Sequence, residues 1–347
     1  MSENDLEPIT LRVTDQETAR VVAIHGPTGR IVGAGCLVTA DTVLTCKHVV
    51  AYALGRKKLP KRGPFRPVTI TLIGVVIDTR CLAEIESYAD GDEPENDLCL
   101  LRIKGLDDRL KIAPIEFVAP LRHGRKSYSV LGLPKSDPQG KNAIGILQAA
   151  DAKGLIQMES VGALLVEGGF SGAPVWSSDL GGFVGLVIAE LNEKKVAWCI
   201  PSRRIAAFYR GLNVRFRIPK ADRPRIHDYE EDDPNLQLFG TVSKNASRSL
   251  SARIKKVGSR YRVELTYRTL DGTETMRGGS VTFVTHPSFA RRSEDAYEIF
   301  SRLNETGVAK THFWCTESFT VAALGDAGDT ALTLDLSKVR PRPSRFK

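Results

Sequence analysis

The sequence predicts an all-β protein made of two parts. Up to about residue 212, short apolar runs of strand length alternate with turns, at a density typical of sandwiches or barrels rather than of alternating strands and helices. A stretch rich in proline and charge follows at 218–235, and we interpret it as an exposed linker. Strand patterns then resume, and the period-2 alternation in YRVELTYR is typical of a half-buried strand.

The first part has one convincing helical pattern, SRRIAAFYRGL, near its end. Its predicted strands include RVVAIHG, GAGCLVTADTVLTC, PVTITLIGVVID, NDLCLLRI, SYSVLGLP, FVGLVIAEL and VAWCIP. In the second part the predicted strands are LQLFGTVS, YRVELTYRTL, SVTFVTHPSF, SFTVAAL and ALTLDL, which fit a separate β-sandwich. We therefore expect domains at 1–217 and 235–338, a linker at 218–234, and a basic tail at 339–347 that is disordered.

Composition limits the class of protein. The chain has 347 residues, of which 42% are hydrophobic and 26% charged, as in ordinary globular domains. No apolar run reaches the roughly 18 to 20 residues that span a bilayer, and the polar start MSENDLEPIT lacks the features of a secretory signal. The six cysteines form no C-x-x-C pair, which favours buried free thiols over disulfides or zinc ligands. We expect a reduced, cytoplasmic protein.

The positive charge is concentrated in the second part. The net charge is +8, and residues 235–347 hold 18 Lys/Arg against 11 Asp/Glu. A basic face for an anionic partner is one interpretation, but an ordinary solvated surface is the favoured one. We therefore expect neither a nucleic-acid partner nor a membrane partner.

The motif GGFSGAPVW places Ser171 in a glycine-rich run. Glycines around a small polar residue are typical of a tight turn. They also allow backbone N–H groups to approach a developing oxyanion closely. A serine hydroxyl becomes a good nucleophile only when a base takes its proton and a third group orients that base.

Two further motifs offer candidates for those groups. LTCKHVVAY places His48 directly after an apolar strand, where a short helical segment begins. ENDLCLLRI places Asp97 just before a buried strand. Each residue alone has a structural interpretation, as a core histidine and as a turn or cap aspartate. The three nevertheless occur in the order His, Asp, Ser.

In these motifs the chain resembles the chymotrypsin-like serine peptidases, and among them the intracellular and HtrA-like branch. The matching pieces cover nearly all of 18–210 and are GAGCLVTADTVLTCKHVV, NDLCLLRI, GGFSGAPVW and the pair FVGLVIAEL and VAWCIPSRRI. The resemblance implies two six-stranded antiparallel barrels with the catalytic groups in the cleft between them. It implies a serine endopeptidase that acts on protein substrates and needs no cofactor and no metal.

The resemblance also implies a role for each residue of the site. Ser171 would attack the scissile carbonyl, His48 would take its proton and return it to the leaving amine, and Asp97 would orient the imidazole. The backbone N–H groups of Gly169 and Ser171 would form the oxyanion hole.

Three residues are predicted to bind substrate. Leu165 fills the position at which a trypsin-type pocket has its acidic floor, which argues against simple Lys/Arg specificity. Ile188 and Glu190 lie on the strand that lines the pocket in relatives. Glu190 either reaches a basic side chain or is a solvated residue at a strand end.

Two departures from the family pattern concern activation. Val49 follows His48 where secreted relatives have a bridging cysteine, in keeping with a reducing compartment. Phe170 occupies the position of the acid that binds a newly cut N-terminus in zymogen-type relatives, so that switch cannot operate here. We expect activity to be governed by the second part or by a partner.

The second part resembles a YEATS domain of the prokaryotic variety in YRVELTYRTLDGTE, GGSVTFVTHPSF and FWCTESFTVAAL. YEATS domains are immunoglobulin-like sandwiches, and the eukaryotic ones read acylated lysine between aromatic rings. The resemblance puts His286 and Phe289 where the reader cage has its histidine and first aromatic. The second aromatic has no clear counterpart, with Val308, His312 and Trp314 as candidates. A structural role at a strand end, or binding of another protein, is the alternative.

The leading functional hypothesis is a cytoplasmic serine endopeptidase, regulated or targeted by its second domain. The pairing of domains suggests a bacterial defence or stress system. The alternative is a catalytically silent protease-fold scaffold that binds other proteins. A third hypothesis, a nucleic-acid adaptor driven by the basic second part, predicts binding with a steep salt dependence.

Overall fold

The structure is a computed structural model. It describes residues 20–73, 80–105, 115, 117–120, 125–161, 164–190, 196–209, 214–217, 233, 235, 239, 242–270, 279–291, 293–326, 330–344 and 346. These residues fall into two compact units, one drawn from positions up to 117 and from 122–208, the other from 118–121 and from 209 onward.

The first six strands close into an antiparallel barrel. Its strands are β1 (Val21–His25), β2 (Ile31–Leu37), β3 (Thr42–Thr45), β4 (Val68–Leu72), β5 (Arg80–Tyr88) and β6 (Cys99–Lys104). They are paired in the order β1-β2-β3-β6-β5-β4, and β4 pairs back onto β1. Two of the three β1–β4 pairs are buried and apolar, for example Ile24 with Ile70. Such cross-strand pairs are the unit of sheet stabilisation.

A second ring of six strands follows. It contains β8 (Lys126–Gly132), β9 (Lys141–Ala150), β10 (Ile156–Ser160), β11 (Pro174–Ser177), β12 (Gly182–Glu190) and β13 (Val196–Pro201). The ring closes because β11 pairs with both β8 and β12. Two further strands of the chain are β7 (Phe117–Pro120) and β14 (Val214–Arg217). The predicted double barrel is confirmed.

Two short helices accompany the barrels. The helix α1 (Lys47–Ala53) begins directly after β3 and buries Val49, Val50, Ala51 and Ala53. The helix α2 (Ser202–Phe208) follows β13, as the pattern SRRIAAFYRGL predicts.

The second unit contains two sheets around one core. A three-stranded sheet joins β15 (Arg248–Val257), β16 (Arg260–Thr269) and β19 (Val308–Cys315) in that order. A four-stranded sheet has the order β18-β17-β20-β21, with β17 (Ser280–Val284), β18 (Glu298–Arg302), β20 (Thr320–Gly325) and β21 (Thr330–Asp335). A short helix α3 (Glu294–Tyr297) precedes β18. Apolar side chains of both sheets share the core, so the predicted β-sandwich is confirmed.

The ends of the second part differ from the prediction. Phe346 is 1% exposed and packs edge-on against Tyr261, at 4.7 Å between ring centroids, so the expectation of a disordered tail is wrong there. Its ring belongs to the sandwich core, and burying an aromatic ring outweighs the polar composition of the segment around it. In the predicted linker, the carboxylate of Asp233 accepts the Thr320 N–H at 2.6 Å. Most of LQLFGTVS lies outside the described residues.

Candidate active site

His48 and Asp97 are joined by two hydrogen bonds. His48 lies in the first turn of α1, and Asp97 follows the short 3-10 turn Pro94–Asn96 just before β6. The ring Nδ1 is 2.5 Å from Asp97 Oδ2, and the backbone N–H of His48 donates to Asp97 Oδ1 at 3.0 Å. Because Oδ2 is an acceptor, Nδ1 carries the ring hydrogen and Nε2 is left as a base. The two contacts use both carboxylate oxygens and fix the plane of the imidazole.

The turn that carries Ser171 is held against both barrels. The Ser171 carbonyl accepts the N–H of Ala34 at 2.9 Å, and the N–H of Gly172 donates to the Val187 carbonyl at 2.7 Å. Gly33 is packed between the two motifs, since a Cβ built there would lie 2.7 Å from Val49 and 3.2 Å from the Ser171 carbonyl oxygen. The structure therefore brings the His48 and Ser171 segments together.

The Ser171 hydroxyl does not bond to His48 in this structure. Its hydrogen bond among the described residues is a long one, 3.4 Å, to the carbonyl of Ile188. Catalytic hydrogen bonds are often long or poorly aligned without substrate and tighten in the reacting complex. The hydroxyl has one weak partner here.

Two backbone donors beside Ser171 are unclaimed. Within the part of the chain that the structure describes, the N–H groups of Gly169 and Ser171 have no hydrogen-bond partner. Gly169 has φ +111°, and a Cβ there would lie 2.4 Å from the Leu133 carbonyl oxygen, so only glycine fits. The Gly169 carbonyl accepts the Leu133 N–H at 3.1 Å and holds the turn in this arrangement.

Phe170 anchors the same turn from below. Its side chain is fully buried. A Cβ on Gly132 would lie 2.2 Å from the Phe170 ring, which shows that the ring lies directly on the backbone of β8. An apolar anchor therefore lies at the position where the sequence resemblance expects an acid in zymogen-type relatives.

Cys46 lies directly behind the His48–Asp97 pair. Its Sγ, an imidazole nitrogen of His48 and a carboxylate oxygen of Asp97 all lie within 4.8 Å of one another. Burial, reinforced by the negative charge of Asp97, raises the pKa of the Cys46 thiol well above its usual range. The protonated thiol donates to the Val187 carbonyl at 3.3 Å.

Two cations hold the loop that carries Asp97, and sequence reasoning missed both. Lys47 Nζ donates to the backbone carbonyls of Ala89, at 2.9 Å, and Gly91. Arg204 on α2 donates to the Asn96 side-chain oxygen at 2.7 Å. The partners are mainly carbonyl oxygens, which leave no charge pattern in the sequence. The only signal in the sequence is that Lys47 is adjacent to His48, which could have suggested a role for Lys47 in the site.

The three predicted substrate-binding residues differ in their exposure and contacts. Ile188 is 3% exposed, and its carbonyl accepts from Ser171. Leu165 is 38% exposed, next to the exposed Leu164. Glu190 ends β12, where its backbone pairs with Ala197, and its side chain is outside the described set. Elsewhere in this unit, Lys58 and Asp92 form an exposed ion pair at 3.0 Å.

In the second unit, the two predicted cage residues His286 and Phe289 both lie beside Phe319. Phe289 packs against Phe313 and Phe319, with ring centroids at 5.7 and 5.8 Å. His286 Nδ1 lies 2.9 Å from the Ser288 hydroxyl, and burial lowers the pKa of this histidine. The His286 ring is also 5.5 Å from Phe319, an aromatic that sequence reasoning did not consider.

The three proposed partners of that cage lie elsewhere on β19. His312 and Trp314 alternate with Phe313, which faces the core, so they project from the opposite side of the sheet. Val308 is buried at 8% exposure. The aromatic rings beside Phe289 are instead those of Phe313 and Phe319.

All six cysteines are free thiols. No helix in the described residues is long and apolar enough to cross a membrane.

Comparison with known proteins relates the first unit to proteases. Residues 33–186 match the model of the trypsin-like peptidase domain. A serine endoprotease from Yersinia pestis is 16% identical, with a TM-score of 0.41, over 55% of this chain and 62% of that one. The serine protease domain of the Sesbania mosaic virus polyprotein is 20% identical, with a TM-score of 0.40, over 56% and 93% of the two chains. Human heparin binding protein is 15% identical, with a TM-score of 0.43, over 56% and 92%.

The chain thus spans 62% of the length of the Yersinia protease structure. A comparison with curated proteins gave no match. The segment similar to the trypsin-like peptidase domain, 33–186, is the one that contains His48, Asp97, Gly169 and Ser171.

Proposed function

We propose that this protein is a serine endopeptidase in which His48, Asp97 and Ser171 act as one catalytic unit. Two observations together carry the proposal. His48 makes two hydrogen bonds to Asp97, and the backbone N–H groups of Gly169 and Ser171 have no hydrogen-bond partner among the described residues. Acyl transfer by a serine requires a base whose nitrogen can accept the hydroxyl proton, and N–H donors that can bind the oxyanion.

The reaction follows from these groups. His48 Nε2 removes the proton of Ser171 as Oγ attacks the substrate carbonyl, and Asp97 stabilises the resulting imidazolium. The N–H groups of Gly169 and Ser171 receive the negative charge of the tetrahedral oxygen. His48 then gives its proton to the leaving amine, and water releases the acyl group by the same steps in reverse.

A second candidate function is a silent scaffold with a protease fold. The observation that favours it is the hydrogen bond of Ser171 to Ile188 instead of to His48. A scaffold requires no movement of that hydroxyl, whereas the peptidase requires it to rotate toward Nε2.

Cleavage itself distinguishes the two functions. Full-length protein is incubated with a bacterial proteome, and new protein N-termini are identified by mass spectrometry, with Ser171→Ala as the matched control. The peptidase predicts N-termini that appear only with the natural sequence. Identical sets of N-termini in both samples, with both proteins folded, would favour the scaffold.

We further assign 1–217 to the peptidase domain and 235–338 to a YEATS-like recognition domain that regulates or targets it in the cytoplasm, in defence or stress. The six free thiols support a reducing compartment. Regulation is tested by inserting a specific protease site in the linker at 218–234 and comparing cleavage before and after it is cut. An unchanged rate, with and without cell extract, would show that the second domain does not regulate the first.

A further inference from the structure

The outer face of the sheet β15-β16-β19 is rich in basic side chains. Alternate residues of these strands point into the sandwich core, as Ile254, Val263 and Phe313 do. The residues between them point outward. The outward charged or aromatic side chains away from the β15–β16 turn, which we call the basic face, are those of Arg253, Lys255, Arg262, Glu264, Arg268, Lys310, His312 and Trp314.

Positive charge on the basic face is almost uncompensated. It holds five Lys/Arg residues and one acid, Glu264. The one ion pair, between Arg262 and Glu264, is 3.5 Å long, and each side chain is more than a third exposed. Arg253, Lys255, Arg268 and Lys310 have no ion-pair partner among the described residues. Protein surfaces ordinarily intersperse both signs, and this face departs from that pattern.

An exposed indole ring lies among the charged side chains of the basic face. Trp314 is 39% exposed and lies directly opposite Arg262, which in turn pairs with Lys255 on the next strand. His312 and Arg253 flank Glu264 in the neighbouring row. A flat aromatic between rows of cations offers a stacking surface and phosphate contacts within a few ångströms of each other.

We propose that the basic face binds single-stranded nucleic acid, with phosphates along the Lys/Arg rows and a base stacked on Trp314. Outward residues two apart on a strand are about 7 Å from each other, which suits successive phosphates of an extended strand. Stacking platforms combined with a cationic track are the general means of holding single strands without sequence preference. An acidic peptide would use the cations but has no need of the indole.

This proposal revises the expectation of no nucleic-acid partner. The sequence shows excess charge in 235–347 but not on which side of each strand it lies. Strand register gathers five of these cations on one face together with the tryptophan. The inference is independent of peptidase activity.

The test uses the full-length protein and a fluorescently labelled 20-residue oligothymidylate, titrated at several salt concentrations. Trp314→Ala is expected to weaken binding about 5- to 100-fold, as loss of one stacked base does. Trp314→Phe should retain most of the affinity. Lys255→Gln and Arg253→Gln should each reduce the slope of log K against log salt by about 0.7, the value for one phosphate of a single strand.

Control variants are Lys153→Gln, the same charge change at an exposed position of the first unit, and Val242→Ala, which shortens an exposed apolar side chain. Both should leave binding unchanged. Polyglutamate and duplex DNA of equal charge serve as competing partners. The proposal is overturned by absence of binding at low salt, by unchanged affinity in Trp314→Ala, or by binding of polyglutamate or duplex as tight as that of the single strand.

Discussion

The Asp326 region of the second unit and the Ser171 region of the first both contain clusters of polar groups. The hydrogen bonds of the first cluster are all made, whereas several groups of the second have no partner. Asp326 accepts hydrogen bonds from Arg248 at 2.8 Å, from the Thr330 hydroxyl at 2.6 Å and from the Tyr267 hydroxyl at 3.3 Å. Burial and the adjacent Asp326 charge raise the pKa of Tyr267, which keeps that hydroxyl a donor. Every oxygen of the Asp326 carboxylate is occupied.

Around Ser171, by contrast, reactive groups are left open. In the described residues, His48 Nε2 and the N–H groups of Gly169 and Ser171 have no hydrogen-bond partner. Unsatisfied groups cost free energy unless a substrate or water completes them. The difference teaches that a saturated polar cluster supports the fold, whereas polar groups left without partners are available to a ligand.

The largest effect should follow from removing a member of the open cluster. Ser171→Ala, His48→Ala and Asp97→Asn are each expected to lower kcat by about 10⁴-fold or more, and the double variants little further, because the groups act as a unit. Peptide cleavage rates measure this, with Ser178→Ala as an exposed serine control. Substantial activity in Ser171→Ala would remove the distinction between the two regions.

Breaking the saturated cluster should affect stability alone. Arg248 and Asp326 are 8% and 14% exposed, so Asp326→Ala removes the carboxylate that pairs with a buried guanidinium. We expect a loss of about 3–5 kcal/mol in the free energy of unfolding of the second unit, and an unchanged kcat. The loss is measured by urea unfolding, with hydrogen exchange of the β16 amides as the signal that reports on the second unit. Glu264→Ala, which breaks an exposed pair, should cost less than about 1 kcal/mol.

A single added methyl group tests the unclaimed donors. Gly169→Ala cannot keep φ +111° or the 2.4 Å approach to Leu133, so the turn must move and the oxyanion donors with it. Loss of one such donor lowers kcat by about 10²–10³-fold. Gly168→Ala is the matched control, since nothing lies within 4 Å of its Cβ. Equal rates for both variants would show that these N–H groups are not used.

The smallest effect concerns the loop that carries Asp97. Lys47→Met removes the donor to the Ala89 and Gly91 carbonyls and should lower kcat about tenfold, because a small misplacement of Asp97 misaligns the imidazole. Lys47→Arg should restore part of the rate. Lys58→Met, which breaks only the exposed pair with Asp92, should have no effect. A tenfold loss in Lys58→Met as well would indicate a general charge effect.

The sequence reveals His48, Asp97 and Ser171 as candidate site residues but not Lys47 and Arg204, and the reason is physical. The proposed triad could be recognised in the sequence because the proposed chemistry demands particular residue types in a particular local setting, such as glycine beside Ser171. Lys47 and Arg204 act on backbone and amide oxygens, which every sequence offers, so nothing distinguishes them from solvated cations.

Burial and strand register account for what was misjudged. Phe346 occurs in a basic, proline-rich segment, yet its ring has room in the sandwich core beside Tyr261. His312 and Trp314 are near Phe289 in the expected order of motifs, but alternation along β19 turns them to the opposite face. One-residue differences in register decide such questions, and composition does not reveal them.

The central claim is that Ser171 is a nucleophile activated by His48, and its reaction with a fluorophosphonate tests this most directly. The full-length protein is treated with the probe, and the adduct is located and its rate of formation measured by mass spectrometry. We predict one adduct, on Ser171, that forms at least about 10³-fold more slowly in a folded His48→Ala variant. No adduct on Ser171, or equal rates with and without His48, would contradict the claim.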